Sequence, residues 1–78
     1  MPDQITVDEM LQKAQAYLKS HYGEDTVRMD ILENAVENGD GTIRVECTVS
    51  LAGRNSDWVK TFYFAAGEVV NMTARRIS

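Results

Sequence analysis

At Gly23 the spacing of apolar residues changes from the helical period of about 3.6 to the strand period of about 2, which divides the chain into a helix and a sheet. Before it, Val7, Met10, Leu11, Ala14, Tyr17, Leu18 and His21 recur at i, i+3, i+4 and i+7. They mark one buried face of a helix from about Val7 to Tyr22, with Glu9, Gln12, Lys13, Gln15 and Lys19 pointing elsewhere. Thr6 and Glu9 have the capping-box spacing, and Gly23 stops the helix. Asp8 and Glu9 near the start and Lys19 near the end suit the helix dipole.

After Gly23, Val27, Met29 and Ile31 alternate with Arg28 and Asp30 in a first strand. The adjoining Ile31-Leu32 pair breaks the alternation and predicts a bulge before the strand resumes toward Val36. Asn38-Gly39-Asp40-Gly41 is the strongest turn signal, because Asn and Gly tolerate the positive φ of tight hairpins. The second strand sets Ile43, Val45, Cys47, Val49 and Leu51 on the core side against Thr42, Arg44, Glu46, Thr48 and Ser50. Residues 52–57 are expected as a longer loop, Trp58 to Ala65 as a third strand, and Ala66-Gly67-Glu68 as a turn. A fourth strand from Val69 to Ile77 has Val70, Met72 and Ala74 facing one way and Asn71, Thr73 and Arg75 the other. Short connections make neighbouring strands antiparallel, and a sheet with one apolar face needs the helix stripe laid across it. The expectation is an α+β domain, one N-terminal helix packed on a four-stranded antiparallel meander in the order α-β-β-β-β.

A chain of 78 residues holds one such domain, 1–78, with 1–5 as a loose N-terminus. At this size folding hides only about 60% of the unfolded surface. The single cysteine, Cys47, cannot form an internal bridge, and no secretory signal is visible, so the expected location is the cytoplasm. Apolar runs are too short for a membrane helix, and no membrane role is expected. The net charge of −4 is unevenly placed: residues 1–40 carry −6 and residues 41–78 carry +2, a dipolar arrangement suited to self-association or an acidic partner.

Most site chemistries lack their residues. A zinc site needs four Cys or His ligands, and the chain has only Cys47 and His21. The acidic turn Glu37-Asn38-Gly39-Asp40-Gly41 puts Val36 where a calcium loop needs its first carboxylate. Cys47 and His21 could meet between helix and sheet, but a mid-strand Cys between Val45 and Val49 sits in dry core rather than in the electropositive setting of a nucleophile. No phosphate-cradling glycine motif and no nucleophile elbow occurs, and carboxylate pairs such as Glu33 and Glu37 belong to solvated strand edges. No metal, cofactor or catalytic set is expected. Asn71-Met72-Thr73 matches the glycosylation sequon, which without a signal peptide is an accident of sequence.

The outward sheet face should gather Arg28, Arg44, Thr48, Thr61, Tyr63, Asn71, Thr73 and Arg75, polar and somewhat basic. RNA platforms pair such a face with several stacking aromatics; here only Tyr63 is offered, since Phe62 and Phe64 turn to the core, and nucleic acid is not expected as a partner. Trp58 serves either as a rim anchor for a partner or as a cap on the open end of the core. Candidate partner-binding residues are Arg44, Trp58, Tyr63, Arg75 and Arg76. The fourth strand, apolar and without proline, predicts a weak homodimer through Val69 to Ile77.

Two resemblances accompany this reading. The helix crossed by four strands resembles the cystatin-like group, with Val49-Ser50-Leu51-Ala52-Gly53 placed where cystatins carry their Gln-Val-Val-Ala-Gly loop. Ile43-Arg44-Val45-Glu46, the segment with Arg54 and Asp57, Phe62-Tyr63-Phe64, Gly67-Glu68 and Arg75-Arg76 are similar to the gas vesicle protein O family, small accessory proteins of gas vesicle formation. This second resemblance implies an interaction protein. The leading expectation is therefore a non-enzymatic protein-binding or assembly module. The alternative is a ligand-binding or enzymatic cone whose pocket lies near Tyr17, His21 and Trp58.

Overall fold

The structure, a computed structural model, describes residues 5–77. Helix α1 spans Val7–Tyr22. Its capping box is complete: the Glu9 backbone N–H donates to Thr6 Oγ1, and the Thr6 N–H donates to Glu9 Oε1, both at 3.1 Å. The Thr6 N–H, together with the Thr6 hydroxyl, which also donates to Glu9 Oε1 at 3.1 Å, holds the Glu9 carboxyl below its ordinary value. At the other end Gly23 takes the left-handed conformation, φ 70°, and its N–H donates to the Lys19 carbonyl at 3.0 Å.

Four strands follow: β1 Asp25–Glu37, β2 Asp40–Leu51, β3 Arg54–Ala65 and β4 Glu68–Arg76. They form one antiparallel sheet in the order β1-β2-β3-β4, the predicted meander. Each hairpin turns on two residues with positive φ: Asn38-Gly39 at 54° and 84°, Ala52-Gly53 at 52° and 79°, Ala66-Gly67 at 53° and 80°. That geometry matches the right-handed twist of the flanking strands. The expected loop over residues 52–57 is thereby corrected. Its polar residues are the start of β3, where Arg54, Asn55, Ser56 and Asp57 pair with Leu51, Ser50, Val49 and Thr48.

Met10, Ala14 and Leu18 of α1 meet Ile43, Val45, Cys47 and Val49 of β2 and Phe62 and Phe64 of β3 in the buried core. The helix backbone approaches both edge strands, so the sheet curls around it. The buried stripe is shorter than expected: Val7 and His21, at the helix ends, are exposed. Leu51 keeps its core-side phase but is 50% exposed, because β2 runs on past the end of α1. Ile5, assigned to the loose terminus, packs against the core; residues 1–4 of that terminus lie outside the described residues.

The edge strands are irregular. The register of β1 shifts at Val27 and at Leu32, and that of β4 at Val70. The Leu32 bulge is the one predicted; the other two are not. At Val70 the extra residue changes the phase, so that Val69 and Met72 pack on the core while Val70 is exposed, correcting the inward placement of Val70. Two edge-strand N–H groups are taken locally, Met72 by Asn71 Oδ1 at 2.8 Å and Val36 by Asn34 Oδ1 at 3.0 Å. Bulges and occupied donors blunt a sheet edge, so β4 is less open to pairing than its composition implies.

Candidate functional site

The end of the molecule where α1 stops carries the densest group of unusual side chains. Along β3 the core-side phase runs Phe64, Phe62, Lys60, Trp58, so the row leaves the apolar core at a lysine and finishes at the open end on a tryptophan. Lys60 is 2% exposed. Its ammonium donates to Glu24 Oε1 at 3.0 Å and lies 4.8 Å from the centroid of the Trp58 ring and 5.8 Å from that of Tyr22. Glu24 reaches it because it follows Gly23 directly, and its N–H donates to the Leu18 carbonyl at 3.3 Å. The local cap that ends the helix therefore also aims the carboxylate under it.

Trp58 is half-buried, with its indole N–H donating to Ser56 Oγ at 2.8 Å. The Arg76 guanidinium, from the paired position on β4, lies 5.9 Å from the indole centroid, within cation–π range. Beside the ring is an open cleft of about 260 Å³, with Leu51, Arg54 and Arg76 among its lining residues and Glu24 on its inner wall. Apolar and aromatic surface together with arginine is the composition of protein-binding hot spots.

The outer sheet face holds the other candidates. Register places Arg44, Tyr63 and Arg75 on it, with Arg28, Thr48, Thr61, Asn71 and Thr73 as expected. The same register adds acids, Asp30, Glu33, Glu46 and Asp57 among them, which outnumber the three arginines and correct the expectation of a basic face. Arg28 pairs with Asp30, Arg44 Nη2 lies 3.5 Å from Glu33, and Thr48 donates to Asp57 at 2.5 Å. Most of this charge is neutralised in place.

The five candidate residues thus divide into two groups. Trp58 and Arg76 share the end cleft, whereas Arg44, Tyr63 and Arg75 lie on the outer face. Missed were Leu51, Arg54, and the Lys60–Glu24 pair. Lys60 was accessible to sequence reasoning: once Phe62 and Phe64 are assigned inward, a period of two places Lys60 and Trp58 on the same side. Tyr17, His21 and Trp58 do not gather around one pocket. Tyr17 borders a cleft of about 270 Å³ between α1 and β4, Trp58 borders the end cleft, and His21 stacks on Tyr17 at a centroid distance of 3.9 Å on the exposed helix surface. Cys47 is fully buried, and burial pushes its thiol above the usual range although the Lys60 charge pulls the other way. Among the described residues no group of three or more His, Cys, Asp or Glu is placed to hold a metal ion, and no helix is long and apolar enough to cross a membrane.

No family model, curated protein or solved structure matches the chain. The gas vesicle and cystatin resemblances receive no support from these comparisons.

Proposed function

We propose that the protein is a non-enzymatic protein-binding or assembly accessory module that presents its open end to a partner. The observation that carries this reading is the end cleft, which half-buried Trp58 and exposed Leu51 line together with Arg54 and Arg76. Trp and Arg dominate binding energy when they border a pocket that a partner side chain fills. The outer face serves this role less well, since its charges are largely satisfied within the chain. Gas vesicle formation is the one process to which the sequence resemblance points, and it rests on those short stretches alone.

Site-specific photo-crosslinking tests the reading. Asn55→p-benzoylphenylalanine, at the cleft, should give a discrete adduct in the cells that make the protein, and adding Arg54→Glu should remove it. Thr73→p-benzoylphenylalanine, on the outer face, should give none. Adducts from Thr73 alone, or from neither position, overturn the reading.

A further inference from the structure

We propose that the end cleft takes a short acidic peptide segment, with an apolar side chain seated against Trp58 and Leu51 and a carboxylate held by Arg54. The inference rests on the binding-module reading and specifies its partner.

Charge selects the sign. The chain carries −4, yet exposed Arg54 lines this cleft beside Arg76, whose guanidinium lies over the indole, and Glu24, the one acid among the described lining residues, is paired with Lys60. Glu37 and Asp40 sit at the opposite end, beside the Asn38-Gly39 turn, while at the cleft's end Asp25 is paired with Lys19 and Asp57 accepts from Thr48. A guanidinium presents parallel N–H donors that match a carboxylate, and a partly enclosed site next to an indole strengthens that bond.

Size selects a segment over a folded surface. The molecule measures 42 × 21 × 18 Å, and its end face lies across the two short axes. Such a face offers roughly 400 Å², about half of what a stable interface buries on each partner. A second copy docked end to end is therefore short of area, whereas a few extended residues fill a cleft of about 260 Å³. Strand addition is the other common way to hold a peptide, and it is hindered at both sheet edges by the bulges at Val27, Leu32 and Val70 and by the occupied N–H groups of Val36 and Met72. A long polyanion such as single-stranded nucleic acid would run from the two arginines onto acidic surface, a penalty that a segment with few carboxylates escapes.

Trp58 is the sole tryptophan and reports on its own cleft. The probes are capped pentapeptides without tryptophan: Asp-Glu-Leu-Glu-Asp, its Asn-Gln-Leu-Gln-Asn counterpart and a Lys-Arg-Leu-Lys-Arg control, with a thymidine octanucleotide as the nucleic-acid arm. The acidic peptide should give a saturable change in Trp58 emission, weakening severalfold between about 50 and about 300 mM salt as screening shortens. Arg54→Glu should weaken it about tenfold. Arg54 is exposed next to a turn, and an unchanged melting curve confirms that the variant folds. Equal binding of the neutral or basic peptide, or tighter binding of the oligonucleotide, overturns the acidic partner class while the crosslinking result stands. Silence of every probe, by fluorescence and by calorimetry, also overturns the inference, and the reading beneath it falls only if the cleft crosslinks fail as well.

Discussion

Removing the carboxylate of Glu24 should destabilise the protein more than removing the charge of Lys60. The two side chains are buried to different depths, 3% exposed for Lys60 and 12% for Glu24, and their charged atoms are 3.0 Å apart. Glu24→Gln leaves an ammonium in the core with no counter-charge; breaking a buried pair in this way costs about 3–5 kcal/mol. The Trp58 and Tyr22 rings return part of that, each worth about 0.5–1 kcal/mol to a nearby cation. The expected loss is about 2–3 kcal/mol. Lys60→Met keeps the apolar stem and leaves Glu24 at the cleft wall, where water reaches it, so its cost should stay below about 1 kcal/mol. Glu24→Gln combined with Lys60→Met should recover most of the loss, because no unpaired charge then remains.

A domain of this length has about 4–12 kcal/mol of stability in total, so Glu24→Gln should lower the melting temperature by about 10–20 °C. Urea denaturation followed by far-ultraviolet circular dichroism measures the difference without relying on Trp58, whose surroundings the substitutions alter. Were Glu24→Gln within about 0.5 kcal/mol of wild type, or Lys60→Met the costlier change, the ammonium would have to be solvated in the folded state and the argument from burial would fail.

The turns and the core supply further tests. At Gly41, φ 134°, an added Cβ would collide with the Ala35 carbonyl oxygen across the hairpin, so Gly41→Ala should cost about 2 kcal/mol or more in urea denaturation. Ala52 and Ala66 hold left-handed conformations that Asn adopts more readily, so Ala52→Asn and Ala66→Asn should each raise stability by about 0.5–1 kcal/mol, read as a higher denaturation midpoint. Thr26 Oγ1 is buried with no hydrogen-bond partner among the described residues, and Thr26→Val should be neutral or stabilising by up to about 1 kcal/mol in the same assay. The Cys47 thiol should react with a labelling reagent only on unfolding. Its raised pKa favours the neutral thiol in the folded state, so its contribution is full below the unfolded value of about 8.5 and is lost as pH rises through the folded one; the stability gap between wild type and Cys47→Ala should narrow along that alkaline limb.

What the sequence made legible depended on whether a signal was local. The helix ends were readable because capping is decided within three or four residues, and Thr6, Glu9 and Gly23 are all the cap requires. Strand β2 was readable because its alternation is uninterrupted from Ile43 to Val49. The Ala52-Gly53 hairpin was not, since alanine is a poor left-handed residue and the polar run after it looks like loop; backbone pairing with β2 overrides that composition. The Val70 bulge carried the same signal as the one at Leu32, two adjoining apolar residues in an alternating strand, and Val27 shifts the register with no such mark. The end proposed to bind a partner was the least legible part. It draws on the helix cap, the end of β2, the start of β3 and the end of β4, and only the fold brings those positions together.

That assembly explains why a polar pair sits at one end of an otherwise apolar row. Past Leu18 the helix has little left to cover the sheet, and an apolar residue in place of Lys60 would extend the core toward an end already lined by exposed Leu51 and Tyr22. With Lys60, the row turns polar one step before the surface, and the ammonium is anchored by Glu24 from the helix cap while it faces the indole of Trp58. Trp58 is thereby held by Lys60, by Arg76 and by Ser56 before any partner arrives. A side chain fixed in this way loses little rotamer freedom on binding, which is where a small interface most needs to avoid loss. The buried pair then adds little to net stability, and under the proposed binding role it sets the position of the aromatic anchor. On that account Lys60→Met, though it folds, should bind the acidic peptide more weakly than wild type while leaving both arginines of the cleft in place.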